Sequence, residues 1–247
     1  MSGVVDRPSP NFDGRDGAPV SILMIHYTGM LSGVAALERL CDPAAKVSAH
    51  YLIEEDGTVF RLVDEAMRAW HAGLGAWRGF ERVNHRSIGI ELVNPGHEWG
   101  YRPFPRPQMV ALAALGRDIV ARHAIAPFDV IGHSDSAPSR KTDPGEFFDW
   151  RWLAEQGVGA WVGGADPVAD GRLGFGESGL LVSRLQADLA AFGYALRVDG
   201  KFGPETRDVV TAFQRHWRQS SVDGIADAET RGRLARLLRS LTETARA

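Results

Sequence analysis

The chain has one cysteine, Cys41, in 247 residues. That excludes an intrachain disulfide and any metal framework built on thiolates. It has no excess of charge: 28 Lys and Arg against 31 Asp and Glu leave a net charge of −3, which gives no electrostatic case for a nucleic-acid partner or an anionic membrane surface. The Arg residues of the last third are interleaved with Asp and Glu, as on a solvated helix surface. No run approaches the ~18 apolar residues of a membrane span. The start, Met1-Ser2-Gly3-Val4-Val5-Asp6-Arg7-Pro8, has neither the basic nor the apolar region of a secretory leader. A cytoplasmic protein without a membrane anchor is expected, acting as a monomer. A hydrophobic content of 44% is ordinary for a globular chain, and the length suits one large and one small domain.

The segment from Gly132 through His133, Lys141, Asp143 and Pro144 to Gly145 carries the most chemistry. It is too rich in Pro, Ser and Gly for a helix, yet it gathers an imidazole, an ammonium and a carboxylate. A second imidazole, His26, closes the strand-like run Ile22-Leu23-Met24-Ile25-His26-Tyr27-Thr28. Two neutral imidazoles and one carboxylate are the protein ligands of a catalytic zinc site with an open fourth position. Singly, each has a plainer reading: His26 as a structural histidine, Asp143 as a turn residue before Pro144, Lys141 as a solvated loop lysine. Together they point to metal-assisted hydrolysis. Glu91, in Ile88-Gly89-Ile90-Glu91-Leu92, lies on the strand face opposite the apolar residues. It is either an outward surface group or the general base of such a site. Lys141 is placed to stabilise an oxyanion.

Residues 1–20 read as an extended arm, 21–162 as a catalytic layer, 163–176 as a linker and 177–247 as a small helical domain. Within the catalytic layer, Tyr51 to Val63 reads as a hairpin around Asp56-Gly57. Ser32 caps a short helix, residues 106–123 carry apolar groups at helical spacing, and 148–156 form a further helix. The fold class is α/β, a mixed central sheet flanked by helices, plus an all-α three-helix C-terminal domain with helices over 180–192, 204–217 and 228–240. A repeat marks that domain: Val198-Asp199-Gly200 with Glu205-Thr206-Arg207 returns 24 residues later as Val222-Asp223-Gly224 with Glu229-Thr230-Arg231. His85 and His97 read as surface residues.

The landmarks Ile25-His26-Tyr27-Thr28, Ser48-Ala49-His50-Tyr51-Leu52-Ile53, Ala69-Trp70-His71-Ala72-Gly73, Asn84-His85-Arg86-Ser87-Ile88-Gly89-Ile90-Glu91-Leu92 and the Gly132–Gly145 segment form an ordered set. In this set the chain resembles the zinc-dependent N-acetylmuramoyl-L-alanine amidases of the type 2 amidase family, which share a fold with T7 lysozyme and peptidoglycan recognition proteins. The resemblance implies one Zn2+ held by His26, His133 and Asp143, Glu91 as the catalytic carboxylate and Lys141 as transition-state stabiliser. It implies that Trp70, His71, Ala72, Arg78 and Asn84 line a groove for stem peptide and sugar.

Leu185-Gln186, Leu189, Gly193-Tyr194, Val198 through Thr206, Val210 and Phe213-Gln214 resemble a peptidoglycan-binding domain. The combination is similar to the enterobacterial lipoprotein amidase, without its signal and lipidated cysteine. The function implied is cleavage of the amide between (1,6-anhydro)N-acetylmuramic acid and L-Ala in cytosolic peptidoglycan recycling, with peptidoglycan fragments as partners. The alternatives are a periplasmic or prophage wall lysin and a non-catalytic peptidoglycan receptor. The catalytic part is expected to cleave soluble substrate without residues 172–247.

Overall fold

A computed structural model describes residues 3–168 and 171–244. Residues 1–2 of the expected arm, 169–170 of the expected linker and 245–247 of the expected helical domain lie outside the described residues. In chain order the elements are β1 (Val5–Asp6), β2 (Phe12–Asp13), β3 (Ile22–Tyr27), α1 (Gly33–Cys41), β4 (Tyr51–Ile53), β5 (Val59–Arg61), β6 (Arg68–Ala69), α2 (Val83–Arg86), β7 (Ser87–Leu92), α3 (Gly96–Trp99), α4 (Arg106–His123), β8 (Val130–Gly132), α5 (His133–Ser136), α6 (Trp150–Glu155), α7 (Leu180–Phe192), α8 (Pro204–Trp217) and α9 (Ala228–Thr244). They pack as two units. The first runs to Gly75, resumes over Arg82–His133 and ends with Asp143–Ala160; the second takes Ala76–Glu81, Ser134–Thr142 and the chain from Trp161 onward.

The first unit is built on a six-stranded mixed sheet in the order β1-β5-β4-β7-β3-β8. Strands β4, β7, β3 and β8 run parallel, and β5 turns back antiparallel to β4. Parallel strands covered on both faces read as near-continuous apolar runs, and Ile22, Leu23, Met24 and Ile25 of β3 are all buried. The hairpin forms where Asp56-Gly57 predicts it: Gly57 turns with φ +90° and Asp56 Oδ1 accepts from the Thr58 amide. Ser32 caps α1 by accepting from the Ala35 amide at 3.2 Å. Helix α4 packs on β3 and β4, and its buried Gln108 donates to the carbonyls of Ile53 and Val93. On another side, Ala36 and Leu40 of α1 join a core cluster with Leu52, Leu62, Val63, Ala69 and Val93.

The N-terminal segment is more than an extended arm. It supplies β1, parallel to β5, and β2, antiparallel to β6. Its Arg15 is buried, with its guanidinium nitrogens donating to the carbonyls of Glu65, Asn84, His85 and Ser87. A buried guanidinium is tolerated only when its donors are met in this way.

The second unit holds α7, α8 and α9, with α7 packed on α9. The described part of the expected linker lies on these helices: Leu173 exchanges two backbone hydrogen bonds with Ala226. The 24-residue repeat has a physical cause. Buried Gln186 accepts from the amides of Asp199 and Gly200 and donates to Asp199 Oδ1, the Lys201 carbonyl and Thr206 Oγ1. Buried Gln214 does the same with Asp223, Gly224, Ile225 and Thr230. Each Asp-Gly turn is thus clamped to the helix before it and the helix after it. No helix among the described residues is long and apolar enough to cross a membrane.

Candidate active site

The site grows from the carboxyl ends of two adjacent parallel strands, where open α/β sheets place their ligands. Ile25 of β3 pairs with Gly132 of β8, so His26 and His133 emerge side by side. Asp143 reaches the same point from the following loop. His26 Nδ1 lies 3.0 Å from His133 Nδ1 and 3.0 Å from Asp143 Oδ2, and His133 Nδ1 lies 3.1 Å from Asp143 Oδ2. All three residues are buried.

The surrounding hydrogen bonds dictate which ring nitrogens carry protons. His133 Nε2 faces the Ala72 carbonyl at 3.0 Å, so it is the donor and Nδ1 keeps its lone pair. Ser87 Oγ donates to the Val83 carbonyl at 2.7 Å and therefore accepts from His71 Nε2 at 3.2 Å. That leaves His71 Nδ1 to accept from His26 Nε2 at 3.0 Å, and His26 Nδ1 also keeps its lone pair. Burial, followed by neighbouring charge, pushes His71 well below the usual imidazole range, so it stays neutral in this chain. Asp143 brings to the same point a carboxylate oxygen, which when ionised is an acceptor only.

Three acceptors therefore converge at 3.0–3.1 Å with no donor among them. Buried lone pairs set against one another are costly unless a cation lies between them. The ligand edges of a tetrahedral site with ~2.0 Å bonds are about 3.3 Å, so these residues fit a zinc-sized ion. The backbone carbonyl behind His133 is a partner that metal-bound histidines use to fix tautomer and orientation, and His71 does the same for His26 with a ring nitrogen.

Glu91 pairs with His26 across β3 and β7, so the carboxylate and the imidazole share one face of the sheet. Two residues earlier, Gly89 pairs with Met24; a Cβ there would come within 2.5 Å of the His71 ring. The glycine lets His71 lie against β7 behind His26, as an isolated strand glycine signals. The loop carrying Asp143 is strapped by Tyr101, whose hydroxyl donates to the Pro144 carbonyl at 2.8 Å and accepts from the Phe147 amide at 2.9 Å. Gly145, at φ +82°, makes room for that strap, since a Cβ would meet the hydroxyl at 2.4 Å. Tyr101 stacks between His97 and Phe147 at 4.3 and 4.9 Å.

The residues expected to line a groove take varied positions. Trp70 is half-buried and donates from Nε1 to Asp13. Ala72 is buried; its amide donates to Asn84 Oδ1 at 2.8 Å while its carbonyl orients His133. Asn84 and Ala72 thus stand behind a histidine of the cluster. Arg78 and Lys141 belong to the second unit. Arg78 has its guanidinium near the Trp77 and Phe192 rings, and the Lys141 amide donates to Ala137. His85, expected at the surface, is instead 5% exposed, packed against Arg68 and Arg82. His97, also expected there, is exposed as expected, with its Nδ1 2.9 Å from the Tyr27 hydroxyl. Of the supporting residues that sequence reasoning missed, Gly89 left a signal, a lone glycine in a strand; Ser87 and Tyr101 left none.

Fold and donor set together define a hydrolase with a site for a metal ion. Comparison with known proteins narrows this. The family described as N-acetylmuramoyl-L-alanine amidase matches residues 16–146, and a peptidoglycan binding domain family matches residues 178–234. The chain is 38% identical over 251 residues to the N-acetylmuramoyl-L-alanine amidase AmiD of Escherichia coli strain K12, covering 92% of this chain and 87% of AmiD. Against the 1,6-anhydro-N-acetylmuramyl-L-alanine amidase AmpD of Salmonella typhimurium strain SL1344, it is 36% identical over 161 residues, 58% of this chain and 84% of AmpD. The fold is similar to E. coli AmiD in complex with the substrate anhydro-N-acetylmuramic acid-L-Ala-D-gamma-Glu-L-Lys, with a TM-score of 0.77 and 35% identity over 93% of this chain and 98% of that one. It is also similar to AmpDH3 of Pseudomonas aeruginosa in complex with anhydromuramic pentapeptide, with a TM-score of 0.74 and 30% identity over 94% and 95% of the two chains. The chain belongs to the N-acetylmuramoyl-L-alanine amidase family.

Proposed function

We propose that the protein is a zinc-dependent amidase that cleaves the amide between 1,6-anhydro-N-acetylmuramic acid and the L-Ala of the stem peptide, acting on soluble muropeptides in the cytosol as a monomer. The observation that carries this is the convergence of His26 Nδ1, His133 Nδ1 and Asp143 Oδ2, the two rings backed by His71 and the Ala72 carbonyl, in a chain of this family. These three residues would hold one zinc ion, and a bound zinc would supply a Lewis acid for the scissile carbonyl and a water with its pKa lowered to ~7.

The rest of the chemistry falls to the chain. Glu91, beside His26 on the same sheet face, takes the proton of the attacking water on its carboxylate and delivers it to the leaving amine nitrogen. The Lys141 ammonium stabilises the oxyanion of the tetrahedral transition state. His71 fixes His26, and the Asn84–Ala72 pair fixes His133. Trp70 and Arg78 contribute to holding sugar and stem peptide. Four segments then share the work: 21–162 supplies the metal ligands and Glu91, 1–20 buttresses it, and 163–176 leads into the helical module at 177–247.

One observation favours a second substrate: the match of residues 178–234 to a peptidoglycan binding domain suits an enzyme that works on intact wall. A paired assay separates the two. Peptide release from anhydro-muramyl tripeptide and from purified sacculi is followed by mass spectrometry, with metal-loaded and chelated enzyme. Zinc-dependent release mainly from the soluble substrate supports recycling; strong release from sacculi moves the enzyme to the wall. Release from neither, with zinc bound, overturns the amidase reading in favour of a receptor.

A further inference from the structure

The segment between the second and third members of the metal cluster, Ser134–Thr142, packs in the second unit with the C-terminal helices, and so does Ala76–Glu81. What fastens the first of these is Asp135. Its side chain is fully buried, with Oδ2 facing His216 Nδ1 at 2.7 Å. Its Oδ1 accepts from the Tyr194 hydroxyl at 2.6 Å. Both partners are themselves held: the His216 ring stacks on Trp217 at 4.1 Å and 4°, and Tyr194 meets Trp77 edge-on at 5.3 Å. Burial, with Asp135 adding to it, pushes the Tyr194 phenol well above its usual range, so it stays protonated and remains the donor.

Beyond Asp135 the chain is short of slack. Ala137 O accepts from the amides of both Arg140 and Lys141 at 3.0 Å, which fixes the backbone that presents Lys141. Ser136 O accepts from the Ala76 amide at 2.8 Å, and the Arg78 amide donates to Gly193 O at 2.9 Å, next to Tyr194. Two segments that carry expected substrate-handling residues, Arg78 and Lys141, are thus tied to one buried polar knot.

We propose that Asp135, gripped by Tyr194 and His216, is the anchor through which the C-terminal helices hold the Lys141 segment in place, making Tyr194 and His216 positioning residues for hydrolysis. The proposal rests on the role given to Lys141 above. It runs against the expectation that residues 172–247 are dispensable for soluble substrate: the helices are part of how the catalytic segment is built.

The test uses the full-length zinc enzyme with His216→Leu, which removes the donor, and His216→Asn, which keeps an N–H near the Nδ1 position. Kinetics on anhydro-muramyl tripeptide, zinc content, Tm and amide hydrogen exchange over residues 137–142 are measured together. His216→Leu is expected to lower kcat about tenfold or more, the scale of losing a supporting partner. KM should stay within about twofold, since the loss falls on the transition state, with zinc content unchanged and faster exchange in 137–142. His216→Asn is expected to restore most of kcat and of the exchange protection.

A His216→Leu enzyme with unchanged kcat below its Tm overturns the proposal. So does an Asn variant with wild-type Tm that leaves kcat as low as the Leu variant. Lys141→Ala separates the layers. Full activity in Lys141→Ala removes the role of Lys141 and the proposal with it. An inactive Lys141→Ala beside a fully active His216→Leu removes the positioning role alone.

Discussion

Two buried clusters in this molecule contain nearly the same side chains and behave in opposite ways. His26, His133 and Asp143 bring two imidazole lone pairs and a carboxylate oxygen to within 3.0–3.1 Å of one another, each ring held from behind by a donor-consuming partner. Asp135, His216 and Tyr194 instead arrange donors around acceptors: one carboxylate oxygen faces an imidazole nitrogen and the other accepts from a hydroxyl. The first set suits a cation between its acceptors, whereas the second sets donors against acceptors. Residue type does not separate a metal site from a structural knot; the direction in which lone pairs and protons point does.

This contrast can be broken or sharpened by substitution. The largest effect is expected from Asp143→Ala, which should leave the protein without zinc and lower activity by more than about 10³-fold, because the ion and its activated water go together; metal analysis and peptide release check it. Next, Glu91→Ala should keep stoichiometric zinc yet lose about 10²–10⁴-fold in kcat, the range of general acid–base catalysis. A variant with near wild-type turnover would remove the proton-transfer role. His71→Phe fills the space beside Gly89 but cannot accept from His26 Nε2, so zinc affinity should fall about 10–100-fold in a chelator competition. Smallest, Tyr101→Phe keeps the stack with His97 and Phe147 and loses two hydrogen bonds worth ~1 kcal/mol each. Activity should drop several-fold with zinc retained, and an unchanged kcat would show that the Asp143 loop holds itself.

Much of this was legible in the sequence. His26, His133 and Asp143 stood out because their types match a zinc donor set and their neighbours read as strand ends and turns. Glu91 stood out because strand alternation put it opposite Ile88, Ile90 and Leu92. The hairpin at Asp56-Gly57, the Ser32 cap and the helix from Arg106 to His123 follow local rules that need no tertiary knowledge.

What was hidden depends on contacts between distant parts of the chain. Asp135 and His216 are 81 residues apart, Asp135 and Tyr194 59, and no local pattern joins them. Burial of Arg15 and His85 follows from what the fold lays over them, which composition does not reveal. The 24-residue repeat and the two glutamines were each visible, but the link between them was not, because Gln186 stands 13 residues before its turn aspartate and Gln214 only 9 before its own. The helices carry the repeat through different connections, so the spacing differs while the hydrogen bonds agree.

The most direct test of the contrast is zinc stoichiometry, measured side by side on the wild-type protein, His133→Ala and His216→Leu after dialysis against trace zinc. The account predicts one zinc per wild-type chain, almost none in His133→Ala and one in His216→Leu, each folded by circular dichroism. Zinc kept by His133→Ala, or lost from His216→Leu, would contradict it.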